Sequence, residues 1–483
     1  MSVKNPKVLF ATFEAVPFAK TGGLGDVGGS LPAALNKAGA ETRVILPKFA
    51  TIPQEYKDQM VHVTDFYMYL AWRSVYCGIE MLEKDGVTWY FVDNEYYFGR
   101  SYPYGFDDDG ERIAFFSKAV CECIQYLDFE PEVLHCNDWH TALSPVFLRE
   151  FYQGMEKYER IRTVFTVHNL KFQGVFGGEV LGNVLGLHEI PAARDQLMQW
   201  DAVNYMRGAF NYCDRITTVS PTYAEEIRTD FYGERINDIL NRRHDILSGI
   251  LNGIDIKQYN PRTDPNLYVK FGPTTIAKKA VNKTRLQAEL GLTVDKDIPM
   301  IGLISRLTDQ KGLDLVNYIL HELLQEEVQL VVLGVGQKEY EDSFKYFAEV
   351  YPQKVSANIC FDEALSRKIY GCADMVLVPS LFEPCGLSQM IAMRYGTLPV
   401  VRETGGLKDS VIPYNEFTGE GNGFSFANYN AHELLFTIQR AIRLYRDNRE
   451  AWDGLVQNAF KTDFSWKNSA KKYLELYRGM MEG

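Results

Sequence analysis

The stretch VLFATFEAVPFAKTGGLGDVGGSLPAALNKAGAETRVILP, residues 8–47, decides the fold. VLFATF (Val8 to Phe13) is a short apolar run that reads as a strand buried on both faces. A glycine-rich turn, KTGGLGDVGGSLP (Lys20 to Pro32), follows it. LPAALNKAG then reads as a helix closed by Gly39, and TRVILP as the next strand. Strand, glycine turn, helix and apolar strand make one βαβ unit, and such units build parallel sheets covered on both faces.

The same rhythm continues outward. VLHCND, RTVFTVHN and RITTVS recur as short apolar runs in the first half, and MIGLISRL, VQLVVLG, MVLVPS and LPVVRE in the second. Helical segments such as ERIAFFSKAVCECIQYL and DLVNYILHELLQEE lie between them. The rhythm breaks over residues 257–275, which are polar, contain Pro261, Pro265 and Pro273, and hold no periodic element. AKKAVNKTRLQAELG then leads into a new first strand at Met300. The reading is α/β, with two Rossmann-like, doubly wound parallel-sheet domains joined near Asn252 to Asn260. The predicted domains are residues 1–250 and 251–463, with 464–483 as an amphipathic helix crossing back to the first.

The whole-chain numbers agree with that class. A chain of 483 residues is too long for one core, and 46% apolar with 24% charged residues is ordinary for a globular protein. No apolar run is long enough to span a membrane, and the short apolar stretch ending at Glu14 reads as a strand, not a signal peptide. The net charge of -12 argues against a nucleic-acid partner, which needs a basic face. It leaves room for an anionic small molecule at a locally basic site. The eight cysteines form no CxxC and no zinc-like spacing, so free thiols in a cytoplasmic setting are expected.

Six motifs carry candidate chemistry, each at a strand end, where open α/β sheets bind ligands. In the glycine loop, Gly22 and Gly23 let backbone amides approach an anion, and Lys20 favours phosphate. Gly23 to Gly28 also matches the dinucleotide fingerprint GxGxxG. Strand two ends Leu46-Pro47-Lys48, without the acid that would hold a ribose, which weakens an NAD reading. NDWH (Asn137 to His140) offers Asp138 for sugar hydroxyls and Trp139 for stacking; the alternative for Asp138 is a helix cap. TVHNLKFQG (Thr166 to Gly174) places His168 and Asn169 at the next strand end, where a satisfied loop histidine is the alternative. SRLTDQKGLDL (Ser305 to Leu315) sets Arg306 and Lys311 around a turn that opens a helix, a pairing suited to a diphosphate. PSLFEPCGLSQ (Pro379 to Gln389) supplies Glu383, whose carboxylate can accept from neighbouring sugar hydroxyls; Cys385 reads as a buried thiol, not a nucleophile. RETGGLKDSV (Arg402 to Val411) offers Thr404, Gly405 and Gly406 to a second phosphate. Asp107-Asp108-Asp109 formally matches DxD, but in YPYGFDDDG it reads as a solvated loop.

KTGGL, NDWH, VHN, SRLTDQKG, FEPCGL and TGGL in this order resemble bacterial glycogen synthases and plant starch synthases, over nearly the whole chain. The resemblance implies the GT-B architecture, two Rossmann-like domains facing each other across a deep cleft. It implies transfer of glucose from ADP-glucose to the non-reducing 4-hydroxyl of an α-1,4-glucan such as glycogen, with retention and without a metal or other cofactor. Carried over residue by residue, Arg306 and Lys311 would neutralise the departing diphosphate. Lys20, Gly22 and Gly23 would reach the nucleotide or distal phosphate, and Thr404, Gly405 and Gly406 would complete the phosphate cradle. Glu383 would hold glucose hydroxyls beside Cys385 and Gly386. Asp138, Trp139, His140, His168 and Asn169 would lie on the sugar and acceptor side, with Asp138 and His168 counted among the catalytic set. Phe361 stands where the family often has a tyrosine that stacks on adenine, and Lys283 occupies another donor-linked position. Alternatives are a related enzyme using UDP-glucose or another acceptor, and a catalytically silent glucan-binding scaffold.

Overall fold

The computed structural model describes residues 5–482. They divide into two compact units, residues 5–253 with 466–482, and residues 254–465.

Unit 1 contains a nine-stranded sheet. Its strands are β1 (Lys7–Ala11), β2 (Glu41–Pro47), β3 (Val61–Leu70), β4 (Arg73–Lys84), β5 (Val87–Asp93), β6 (Val133–Asn137), β7 (Arg162–Val167), and, after a three-stranded antiparallel sheet of β8 (Val175–Gly177), β9 (Met198–Gln199) and β10 (Ala202–Asn204), β11 (Arg215–Thr218) and β12 (Leu247–Gly249). The spatial order is β12-β11-β7-β6-β1-β2-β5-β4-β3. Pairing is parallel from β12 through β5 and antiparallel only at β5-β4-β3. This antiparallel edge extends an otherwise parallel sheet. The residues joining β3 to β4, Ala71 (φ +49°) and Trp72, form a tight turn that needs no crossover helix. The order reverses between β1 and β6, so the crevice of this unit lies beyond their carboxyl ends.

The helix Trp466–Glu482 belongs to unit 1 and packs on the helix Gly23–Ala38. A buried polar chain fixes it to the sheet. The Tyr477 hydroxyl meets His135 Nδ1 at 2.6 Å, His135 Nε2 meets Thr166 Oγ1 at 2.6 Å, and Thr166 Oγ1 meets Thr217 Oγ1 at 2.5 Å. Burial pushes His135 down to about 3, so the ring is neutral and bridges as one donor and one acceptor. An unmade bond at such a site costs about 1–3 kcal/mol, enough to set how the helix is seated.

Unit 2 holds β13 (Met300–Ile304), β14 (Gln329–Leu333), β15 (Val355–Asn358), β16 (Met375–Val378), β17 (Leu398–Arg402) and β18 (Phe424–Phe426). The order is β15-β14-β13-β16-β17-β18, parallel throughout. Its switch point lies between β13 and β16, whose carboxyl ends lead into Ser305 to Lys311 and Pro379 to Gln389. The chain passes from unit 1 to unit 2 at 253–254 and returns at 465–466. Ile254 N donates to Phe464 O at 2.8 Å, which holds the two passages side by side.

Among the described residues no helix is long and apolar enough to cross a membrane.

Candidate active site

In unit 1 the site begins at Glu14, three residues past β1 and buried. Its Oε1 accepts from Thr21 Oγ1 at 2.6 Å and from the Tyr104 hydroxyl at 3.1 Å, and its Oε2 accepts from the amides of Thr21 and, at 3.2 Å, Gly22. One carboxylate thus shapes the glycine loop. The glycines of that loop divide into two kinds. A Cβ on Gly28 would sit 2.3 Å from Glu14 O, and one on Gly29 2.4 Å from Val16 Cγ2, so packing demands both. A Cβ on Gly22 or Gly23 would meet nothing within 4 Å. Nothing in the chain crowds a side chain there; the Gly22 amide is already given to Glu14, so it is Gly23 that leaves backbone open for a ligand. Lys20 Nζ donates to Asp26 Oδ1 at 2.7 Å and stays partly exposed.

Asp138 follows β6 at φ +56°, a conformation that a non-glycine residue holds only under constraint. The constraint is visible. Asp138 N donates to Thr166 O at 2.9 Å, and Asp138 Oδ1 accepts from His168 N at 2.7 Å. Its carboxyl is therefore tied to the chain beyond β7, and it does not act as a side-chain helix cap. Burial, against the bonds from the amides of His168 and Asn169, pushes its pKa up to about 7.

His168 Nε2 lies 3.0 Å from Asn137 Oδ1. Asn137 Nδ2 donates to Ala11 O at 3.0 Å, which turns the amide oxygen toward the histidine. Nε2 must then carry the proton, leaving Nδ1 a bare acceptor with no partner among the described residues. Burial pushes the ring down to about 3, so it is neutral throughout the physiological range. Asn169 Oδ1 accepts from Lys171 N at 3.1 Å and shapes its own turn. Trp139 lines a cavity with Phe176 and Trp200.

His140 lies under the site, with neither ring nitrogen hydrogen-bonded to a described residue. Its ring is buried, stacked on Phe13 at 4.8 Å and flanked by Tyr104 and Trp139. It acts as a neutral aromatic plate beneath the site, held down to about 3 by burial. The Asp107 to Asp109 run also differs from a solvated loop. Asp109 is buried, pairs with Arg112 at 2.5 Å and accepts from Gly105 N at 2.6 Å, while Asp108 pairs with Arg100 at 2.7 Å.

In unit 2, Lys311 Nζ donates to Glu383 Oε2 at 2.6 Å, and Ser380 Oγ donates to the same oxygen at 3.0 Å. Both partners of the ion pair are largely buried. Glu383 Oε1 has no protein partner among the described residues. Arg306, by contrast, is exposed, and its guanidinium has none either. From the sequence Arg306 and Lys311 look equivalent; in the structure Lys311 is ion-paired with Glu383 and Arg306 has no ion-pair partner among the described residues. Phe361 follows β15 and is 88% exposed, an open aromatic face.

The segment Glu383 to Gly386 is clamped from two sides. Gln389 Nε2 donates to Cys385 O at 3.1 Å, Gly386 O at 2.9 Å and Ser410 Oγ at 3.0 Å. Gly405 (φ +43°) and Gly406 press on the other side, where a Cβ would lie 2.0 Å from Glu383 O and 2.1 Å from Cys385 O respectively. Gly406 N donates to Glu383 O at 3.1 Å and Pro384 O at 3.2 Å, so it offers no amide to a phosphate as expected. These glycines seat Glu383. Thr404 is fully buried ahead of them, and Cys385 is buried beside them.

Lys283 is not part of this edge. Its Nζ donates to Asp374 Oδ2 at 2.6 Å, Lys296 O at 2.9 Å and the Tyr445 hydroxyl at 3.1 Å, so all three protons are spent. Asp374 Oδ2 also accepts from Met300 N at 2.8 Å, at the amino end of β13. Lys283 therefore braces the opposite edge of the sheet from Arg306 and Lys311.

Asp138 gives a pH test. Its folded pKa, about 7, lies above the ordinary 3.8, so the folded state binds the extra proton. The stability this confers is full below about 4 and is lost as pH rises toward 7. Asp138→Asn keeps an acceptor for His168 N and removes the ionisation. Its stability relative to the parent should rise from pH 4 to pH 8 by at most about 4 kcal/mol. Parallel melting-temperature profiles for the two proteins across that range would contradict it.

Two doubly wound α/β units, each gathering polar side chains at its own switch point, define a glycosyltransferase of the GT-B fold. Residues 7–242 match the family described as starch synthase catalytic domain, and residues 289–459 match glycosyl transferases group 1. Glycogen synthase of Clostridium novyi (strain NT) is 53% identical, covering 98% of this chain and 99% of that protein. Glycogen synthase of Clostridioides difficile (strain 630) is 50% identical over 99% and 100%. The catalytic domain of Starch Synthase IV from Arabidopsis thaliana, bound to ADP and acarbose, superposes with a TM-score of 0.90 at 33% identity, covering 99% of this chain and 100% of that one. The chain belongs to the glycogen and starch synthase family.

Proposed function

We propose that the protein transfers glucose from ADP-glucose to the non-reducing end of an α-1,4-glucan such as glycogen, with retention of configuration. The observation that carries this reading is the Lys311–Glu383 pair at 2.6 Å, set at the switch point of unit 2 where exposed Arg306 also stands. A carboxylate fixed by its own lysine is a positioned acceptor for sugar hydroxyls, and an unpaired guanidinium is the charge a departing diphosphate needs. The solved relative bound to ADP and acarbose supports a nucleotide donor and a glucan acceptor.

In this reading the bond from glucose C1 to the diphosphate oxygen breaks as C1 bonds the acceptor O4 on the same face. The acceptor's proton passes to the departing phosphate oxygen. Arg306 and Lys311 stabilise the growing negative charge, and Glu383 Oε1 holds the glucose hydroxyls. Phe361 offers its face to the base, and the Gly23 amide offers contact to phosphate. His168, neutral with its Nδ1 lone pair bare, accepts from a sugar hydroxyl and is not an acid. Asp138 orders the His168 backbone and lends a carboxyl to the sugar. No step here calls on a metal or other cofactor. The setting we assign is cytoplasmic; all eight cysteines are free thiols and only Cys360 is exposed.

Radiolabel transfer into glycogen tests this, with ADP-glucose and UDP-glucose side by side. ADP-glucose should be the better donor. Equal or greater transfer from UDP-glucose would favour the related enzyme, and none from either would favour a silent scaffold.

A further inference from the structure

The Arg306 side chain has no partner among the described residues, so the turn that carries it, Ser305 to Gly312, alone decides where its charge stands. That turn is held from two sides. Its later half is tied to the Glu383 segment: Leu381 N donates to Gln310 O at 2.9 Å, and Gln310 Nε2 donates to Phe382 O at 3.2 Å. Its earlier half, where Arg306 stands, is tied to a different loop. This loop leaves β14 at Leu333 and enters the helix Lys338–Val350. Ser305 N donates to Leu333 O at 3.2 Å, Leu307 N to Val335 O at 2.9 Å, and Gln337 N to Leu307 O at 2.7 Å. The backbones approach so closely that a Cβ on Gly334 would overlap Ser305 O, and one on Gly336 would overlap Leu307 O. Arg306 is thus flanked on both sides by backbone contacts with one loop.

Side chains complete the grip. Gln337 stands at the start of its helix, but its side chain does not cap that helix. It reaches back instead. Asp309 N donates to Gln337 Oε1 at 3.1 Å, and Gln337 Nε2 donates to Asp309 Oδ2 at 3.2 Å. Tyr340, buried in the first turn of the helix, donates its hydroxyl to Asp309 Oδ1 at 2.7 Å. Asp309 is exposed, where water alone would satisfy its carboxylate, yet three bonds from one neighbouring element converge on it. The bond from the Tyr340 hydroxyl to a carboxylate is of the stronger, charge-assisted kind. The first turn of a helix also favours a negative charge beside it. Asp309 is therefore engaged as an anchor, and it forms no ion pair with Arg306.

We infer that Gln337 and Tyr340 are positioning residues for the transfer reaction: through Asp309 they hold the turn in the place from which Arg306 meets the departing diphosphate. The inference rests on the diphosphate reading of Arg306 above. The grip lies on the Arg306 half of the turn. Its loss moves Arg306 and leaves the Lys311–Glu383 pair, on the half held by Gln310, in place.

The test is a double-mutant cycle. Tyr340→Phe, which removes one hydroxyl, and Gln337→Ala are each made in the parent and in Arg306→Ala, and assayed with ADP-glucose and glycogen. In the parent each should lower kcat about tenfold while donor KM changes by less than about twofold. In Arg306→Ala each should lower kcat by less than about twofold, because the group they position is gone. An unchanged kcat in the parent overturns the inference. An equal loss in both backgrounds overturns it too, since a general structural role would give that result. Amide hydrogen exchange reads the grip without turnover. The peptide spanning residues 305–312 should exchange about tenfold faster in Tyr340→Phe, and an unchanged rate overturns the grip. If exchange quickens but Arg306→Ala transfers glucose as fast as the parent, the diphosphate reading fails and the grip stands.

Discussion

Arg306→Ala is expected to lower kcat by about 10²–10³-fold while donor KM changes little and the melting temperature does not move. The reason is the difference between the two cations of unit 2. Arg306 is exposed and bonds no other side chain, so its removal leaves nothing unpaired in the folded protein. Its charge acts only when negative charge collects on the diphosphate, which is a transition-state effect. Lys311 is different, because losing it strands Glu383 in a largely buried place. Breaking such a pair costs about 3–5 kcal/mol, so Lys311→Ala mixes catalysis with stability. Steady-state kinetics with ADP-glucose and glycogen, beside thermal unfolding, separates the two. A fall in melting temperature for Arg306→Ala, or a rise in donor KM matching the loss of kcat/KM, would contradict its role.

Gly406→Ala should reduce kcat by about 10²-fold and destabilise the protein by about 1–3 kcal/mol together. The added methyl would lie 2.1 Å from Cys385 O and 2.5 Å from Cys385 Cα, both backbone atoms that cannot swing aside. The segment Glu383 to Cys385 must shift, and Gln389 grips it from the other side, so the carboxylate of Glu383 moves with it. A displacement near 1 Å is enough to misplace a group that holds the transferring sugar. Gly23→Ala is the contrast, since a Cβ there meets nothing within 4 Å and the fold should tolerate it. Normal kinetics for Gly406→Ala would mean that Glu383 is not positioned by this contact.

The parallel sheets are legible in the sequence because a strand buried on both faces reads as a continuous apolar run. All nine runs quoted from the sequence are strands. The antiparallel edge β3-β4-β5 is less legible. Along β3 and the start of β4 exposed and covered residues alternate, and tyrosines such as Tyr67 and Tyr69 face outward on β3. The strand-end motifs are legible because turn glycines and polar residues directly after an apolar run mark a sheet's carboxyl edge. What a side chain does there depends on partners far along the chain. Lys283 meets Asp374, 91 residues on, and that contact puts it at the wrong edge for a donor. His140 is buried because Phe13 comes to lie flat on it. Gly405 and Gly406 look like a phosphate turn and serve mainly to let two loops touch. Glu14 could have been found, as an acid just beyond an apolar strand and just before the glycine loop. The grip of Gln337 and Tyr340 on Asp309 could not, because it joins residues 28 and 31 positions apart.

The most direct measurement is a crystal structure with ADP bound. The diphosphate should lie within hydrogen-bond reach of the Arg306 guanidinium and Lys311 Nζ, with the Lys311–Glu383 pair still closed and the base against Phe361. A diphosphate held elsewhere, with Arg306 left in solvent, would contradict the central claim that these two cations take up the leaving charge.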